Sequence, residues 1–201
     1  MPETLFPNSS LPIHLDIGSA RGKFLISMAS KNKSINYLGL EIRNSLVISS
    51  EKERLSQDIT NLRFLFCNVN VSLVDWLQNL PKGLLRYVSI QFPDPWFKKR
   101  HKKRSVLQPD LLLGITRALD QGSLFFIQSD ILDVADSMTA LIERTQCFKR
   151  QEGLSNNWLL NSPFPVKTER ENYADLNGLP IYRSVFYRNT NSPPKLNDLE
   201  T

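Results

Sequence analysis

Residues 11–22 read LPIHLDIGSARG, and their reading decides the fold. Residues 11–17 form an apolar run with strand character, and Gly18 lets the chain turn tightly out of it. Gly22 would let a helix, expected over 23–30, start close to a bound ligand, and Asp16 sets a carboxylate beneath the turn. Outward from this unit, strands are expected at 37–42, 62–66, 85–92 and 123–128. Between and after them come helices at about 45–57, around Leu73, Leu77 and Leu80, at 110–119 and at 131–144. Such alternation predicts an α/β fold, a mostly parallel sheet with helices on both faces. The final third changes character. Residues 148–152 and 181–188 read as two antiparallel strands added at an edge. The stretch 156–177, rich in Asn, Pro and charge, reads as a long irregular segment, and such segments are usually functional or mobile. One domain over 11–188 is therefore expected, preceded by a short segment at 1–10 and followed by a polar tail at 189–201 that contains Pro193-Pro194 and is expected to be disordered.

The charge is concentrated in one place. Residues 91–104 read QFPDPWFKKRHKKR, so the fourth strand runs into Pro93-Asp94-Pro95-Trp96 and then a cationic run. Lys98, Lys99, Arg100, Lys102, Lys103 and Arg104 are six of the 25 basic residues; without them 19 basic groups face 20 acidic ones. The net charge of +5 is thus one patch on a balanced protein, the footprint of a polyanion such as nucleic acid or else a solvated lysine-rich loop. Trp96 could stack on a base or pack beneath the loop, and His101 belongs to the same surface. The two cysteines, Cys67 and Cys147, lack any CxxC spacing, which argues against a zinc site or disulfide framework and for a reducing compartment. With no apolar run of membrane-spanning length and no signal-peptide pattern at 1–8, a cytoplasmic protein is expected, with no metal and no membrane partner.

The first turn is not a dinucleotide fingerprint, because Ala20 stands where the middle glycine of G-x-G-x-x-G would be. An acid two positions before Gly18 suits an ammonium better than a phosphate, which favours S-adenosyl-L-methionine; many such turns hold no ligand at all. Glu41 ends the second strand about twenty positions on, where a carboxylate grips a ribose diol or simply starts a helix. Asn68 follows the third strand, either hydrogen-bonding an adenine edge or serving as a plain turn residue. Thr168 and Glu171 have the spacing of a helix capping box and equally could bond a substrate.

With these residues in hand, the chain resembles the bacterial tRNA (guanine-N7)-methyltransferase family. FPDPWFKKRHKKR at 92–104 looks like that family's signature. Thr168-Glu169-Arg170-Glu171 and Gly178-Leu179-Pro180-Ile181-Tyr182-Arg183 are similar to its T-x-x-E and G-x-P-I-Y-R elements. The resemblance spans about 11–188 and implies a class I methyltransferase fold, a Rossmann-like, mostly parallel seven-stranded sheet with an antiparallel C-terminal strand. It implies methylation of guanosine 46 in the tRNA variable loop, with Asp16, Gly18, Glu41, Asn68 and Asp94 around the cofactor. It also implies Asp94 as the catalytic residue, Lys98, Asp130, Thr168, Glu169, Arg170 and Glu171 on the substrate, and Lys99, Arg100, Lys102, Lys103 and Arg104 on the tRNA backbone. Ala20, Asn68 and Phe97 depart from residues common in the family, and the segment before the first strand is short, so an RNA-contacting arm is expected to be reduced. Two rivals remain: a nicotinamide-dependent oxidoreductase on the same sheet, and a noncatalytic RNA-binding module.

Overall fold

The computed structural model describes residues 5–95, 105–153 and 158–199. Trp96, Phe97, His101 and the whole cationic run from Lys98 to Arg104 lie outside the described residues. Strands β1 (Ile13–Ile17), β2 (Asn36–Glu41), β3 (Leu62–Phe66), β4 (Leu85–Gln91) and β5 (Leu124–Ser129) alternate with helices α1 (Lys23–Lys31), α2 (Asn44–Ser56), α3 (Val69–Gln78) and α4 (Pro109–Ala118). Helix α5 (Leu132–Arg144), β6 (Phe148–Arg150), α6 (Glu169–Leu176) and β7 (Tyr182–Arg188) complete the order.

The sheet runs β3-β2-β1-β4-β5-β7-β6, and β7 alone runs against the direction of the other strands. All five residues of β1 are buried, as a strand covered on both faces requires. On one face Ile13, Leu15 and Ile17 join Leu73, Leu111, Ile115 and Met138 in the larger core cluster. On the other, Phe24, Leu25, Tyr37 and Phe64 form a second cluster that Phe164 and Val166 close over. Strand order reverses between β1 and β4, and ligands bind at the carboxyl ends of strands beside such a switch.

Two expectations need correction. The stretch 156–177 is not irregular throughout: α6 occupies Glu169–Leu176. Its sequence carries no apolar stripe, and only Glu171 and Ala174 are buried, so periodicity gives no signal. A capping box starts it instead, with Thr168 Oγ1 accepting from the Glu171 amide at 3.0 Å and Glu171 Oε2 accepting from the Thr168 amide at 3.4 Å. The tail, expected to be disordered, packs on the domain as far as Leu199. The Cys147 thiol donates to the carbonyls of Asn191 and Ser192, and Leu199 is buried.

Candidate active site

The site is written into the register of the sheet. Asp16 on β1 lies directly beside Ser89 on β4, Gln91 on β4 beside Gln128 on β5, and Gln128 beside Arg183 on β7. These neighbours bond in a continuous row. Asp16 Oδ1 accepts from Ser89 Oγ at 2.5 Å and from Gln91 Nε2 at 3.1 Å. Gln91 Oε1 accepts from Gln128 Nε2 at 2.9 Å, and Gln128 Oε1 accepts from Arg183 Nε at 3.2 Å. Arg183 Nη2 in turn donates to Glu171 Oε1 at 2.9 Å. Beneath Asp16, His14 is packed against the rings of Phe24, Tyr37, Tyr87 and Phe164, and burial holds its pKa down at about 3. Ser89 spends its hydroxyl proton on Asp16, so its oxygen accepts from a neutral His14 through Nε2, 2.9 Å away.

Burial pushes the Asp16 carboxyl up to about 6, against the lowering effect of the bonds from Ser89 and Gln91. Both bonds go to Oδ1, and no described residue bonds Oδ2. Among the described residues this buried acid has no countercharge, which suits it to a cation.

A cavity of about 270 Å³ opens over these strand ends. Asp16, Gly18, Glu41, Asn68 and Asp94 all line it, so the structure brings together every residue expected around a cofactor. Gly18 has φ +82° with open space where a Cβ would be, so the turn geometry is what asks for glycine. Gly22 serves differently from expectation: a Cβ there would lie 2.4 Å from the Phe64 ring, so it permits close helix–sheet packing and does not line the cavity. Ala20, at φ 48°, holds a left-handed conformation that glycine would adopt without strain.

The turn's amides matter for what it can bind. Gly18 and Ser19 both donate to the Leu40 carbonyl, at 2.8 and 2.9 Å. Ala20 donates to Glu41 Oε2 at 3.0 Å, and Gly22 to the Ser19 carbonyl at 2.9 Å. A pyrophosphate cradle needs free amides pointing at the ligand, and these four are committed. Opposite the turn, Asn68 is exposed and caps α3 through its backbone alone, with no side-chain cap bond. Asp94 is exposed on the segment leaving β4, which Phe92 redirects at φ 49°, a strained conformation for a bulky side chain.

The residues expected on the substrate divide. Thr168, Glu169 and Arg170 line the cavity rim. Arg170 pairs with Asp130, which is not itself in the lining, and Glu169 lies 3.6 Å from Arg21 across the mouth. Glu171 is 1 % exposed and faces the interior, where it pairs with Arg183. Sequence reading missed Ser89, Gln91 and Gln128. They are ordinary polar residues in apolar strands until the register aligns them.

A reversed strand in a seven-stranded sheet, with an acid under the first turn and a second acid ending β2, defines a class I methyltransferase fold. Solved structures agree: the 16S rRNA methyltransferase KamB aligns with TM-score 0.60 at 16% identity over 92% of this chain and 90% of that one. SMU.1697c from Streptococcus mutans, solved in complex with SAH, aligns at 0.53 with 12% identity over 92% and 90%. The family model described as "Putative methyltransferase" matches residues 10–184. The "tRNA (guanine-N(7)-)-methyltransferase" of Prochlorococcus marinus (strain MIT 9313) is 52% identical over 199 residues, covering 99% of this chain and 84% of that protein. The chain belongs to the tRNA (guanine-N7)-methyltransferase family.

Proposed function

We propose that the protein transfers the methyl group of S-adenosyl-L-methionine to N7 of guanosine 46 in the tRNA variable loop. The observation that carries the cofactor is the pairing of a cation-seeking acid, Asp16, with a turn in which the Gly18, Ser19, Ala20 and Gly22 amides are committed, in a cavity shared with Asp94. Asp16 would hold the α-ammonium, Glu41 the ribose diol and Asn68 the adenine edge. The bound cofactor presents a methyl group on a sulfonium.

Guanine N7 carries an exposed lone pair, so no strong base or metal is required, and the protein's task is alignment. Among the described residues no cluster could hold a metal ion and no helix is long and apolar enough to cross a membrane. Asp94 would accept from the N1 and N2 donors of guanine and stabilise the positive charge the purine gains. Thr168, Glu169 and Arg170 form the rim on which the nucleoside would rest, and the basic residues Lys98 to Arg104 would neutralise tRNA phosphates. Such a substrate places the enzyme in the cytoplasm.

Titrations with S-adenosylhomocysteine and with NAD⁺ separate the readings. Binding of the first and not the second is expected. Binding of NAD⁺ alone supports the oxidoreductase, and binding of neither supports an RNA-binding module.

The affinity should also carry the signature of Asp16. Its raised pKa means that the unliganded fold is more stable with the group protonated; that contribution is complete below the ordinary value of 3.8 and lost as pH rises through about 6. An ammonium ligand reverses the preference, because it needs the carboxylate. S-adenosylhomocysteine affinity should therefore weaken as pH falls below about 6, approaching tenfold per unit, while the ligand's α-amino group loses its proton above roughly 8. Calorimetry carried from about pH 7 down to about pH 5, through the Asp16 transition, reads the loss. A flat profile would remove Asp16 as the ammonium partner.

A further inference from the structure

Glu41 is the residue the ribose diol is expected to meet, yet its carboxylate is saturated. A carboxylate offers about four acceptor positions, two on each oxygen. Oε1 accepts from the Arg43 amide at 2.9 Å and from Arg43 Nε at 3.0 Å. Oε2 accepts from the Ala20 amide at 3.0 Å and from Arg43 Nη2 at 3.2 Å. The two amides are fixed parts of the backbone, one in the first turn and one at the start of α2. The other two positions, one on each oxygen, belong to the forked guanidinium of Arg43. A vicinal diol donating to both oxygens needs those same two positions.

We propose that Arg43 is a displaceable counter-ion that occupies the ribose grip of Glu41 and is exchanged for the diol when the cofactor binds. This rests on the reading of Glu41 as the ribose residue. Three features fit an exchange better than a permanent brace. Glu41 is 4 % exposed, so it cannot be left without donors, whereas the Arg43 side chain is 58 % exposed and can return to water. Arg43 itself lines the cavity, so it borders the volume a ligand enters. A second carboxylate, Asp94, lines the same cavity and favours the charged guanidinium electrostatically, so the released cation stays in a favourable field.

The exchange makes Arg43 a competitor of the cofactor, and this fixes the sign of its removal. An ordinary ribose-site helper would lose affinity when deleted. Here Arg43→Met should bind S-adenosylhomocysteine more tightly than wild type, by about three- to tenfold, the scale of one partly exposed ion pair. Arg43→Lys, which cannot fork across both oxygens, should fall between the two. The gain should vanish for the 2′,3′-dideoxy analogue of the ligand, which does not call on Glu41. Calorimetric titration of the three proteins with both ligands reads the result. Weaker binding of S-adenosylhomocysteine by Arg43→Met or Arg43→Lys, or an equal gain for the dideoxy analogue, overturns the proposal. If Arg43→Met does not fold, the lysine variant alone decides the sign. Failure of wild type to bind S-adenosylhomocysteine at all would instead bring down the cofactor reading on which the proposal stands.

Discussion

Asp94→Ala should reduce methyl transfer to tRNA by about a thousandfold or more in kcat while changing the dissociation constant of S-adenosylhomocysteine by less than about threefold. The asymmetry follows from where Asp94 stands. It is exposed on the cavity wall beyond the strained Phe92 turn, and no described residue hydrogen-bonds its side chain. The exposed carboxylate stands on the cavity wall, where an incoming base can reach it. Three other side chains that line the cavity, Asp16, Glu41 and Asn68, would remain for the proposed cofactor when Asp94 is removed. Under the proposed function its charge would matter most as positive charge arrives on the purine, an interaction stronger in the transition state than in the ground state. Single-turnover rates beside calorimetric binding give both numbers. Unchanged turnover would sink the assignment, and a parallel loss of cofactor affinity would make Asp94 a cofactor ligand first.

Glu171→Ala should act on the fold. Glu171 and Arg183 are 1 % and 7 % exposed, and the pair is held by Gln128, the Thr168 amide and the Leu160 carbonyl. Removing one member of such a pair leaves the other charge buried and unanswered, at a cost of about 3–5 kcal/mol. It also deletes half of the capping box that starts α6. For a chain of this size the melting temperature should fall by roughly 6–20 °C. Glu171→Gln keeps hydrogen-bonding capacity and should lose less. Thermal denaturation of the three proteins checks this. A variant that melts like wild type but no longer methylates tRNA would return Glu171 to the substrate side, where the resemblance to T-x-x-E places it.

How legible this was in the sequence depends on the physical signal each element leaves. Strands such as Leu62–Phe66 announce themselves through a short apolar run, and helices such as Lys23–Lys31 through apolar periodicity and a glycine at the boundary. Asp16, Glu41, Asn68 and Asp94 were legible because each lies at or just beyond the carboxyl end of a strand, and the ends of parallel strands converge on one cavity. Helix α6 leaves no such trace. Its stability comes from a cap and from a buried ion pair whose second member is twelve residues away. The row from Asp16 through Gln91 and Gln128 to Arg183 is legible only once register is known, because a slip of one residue would send each side chain to the opposite face. Likewise, nothing in Glu41-Ile42-Arg43 tells that the arginine folds back to fill the acid's two remaining acceptor positions. The role of Gly22 was misread for a related reason: the ring it accommodates, Phe64, lies on a strand two elements further along the sheet.

The most direct test of the whole account is methyl transfer from methyl-labelled S-adenosyl-L-methionine to unmodified tRNA transcripts, mapped by borohydride–aniline cleavage, which cuts at N7-methylguanosine. The account predicts label at a single variable-loop guanosine, cleavage at that position, and loss of both when the base is changed. Label that survives the base change, or no label from a protein that binds S-adenosylhomocysteine, would contradict it.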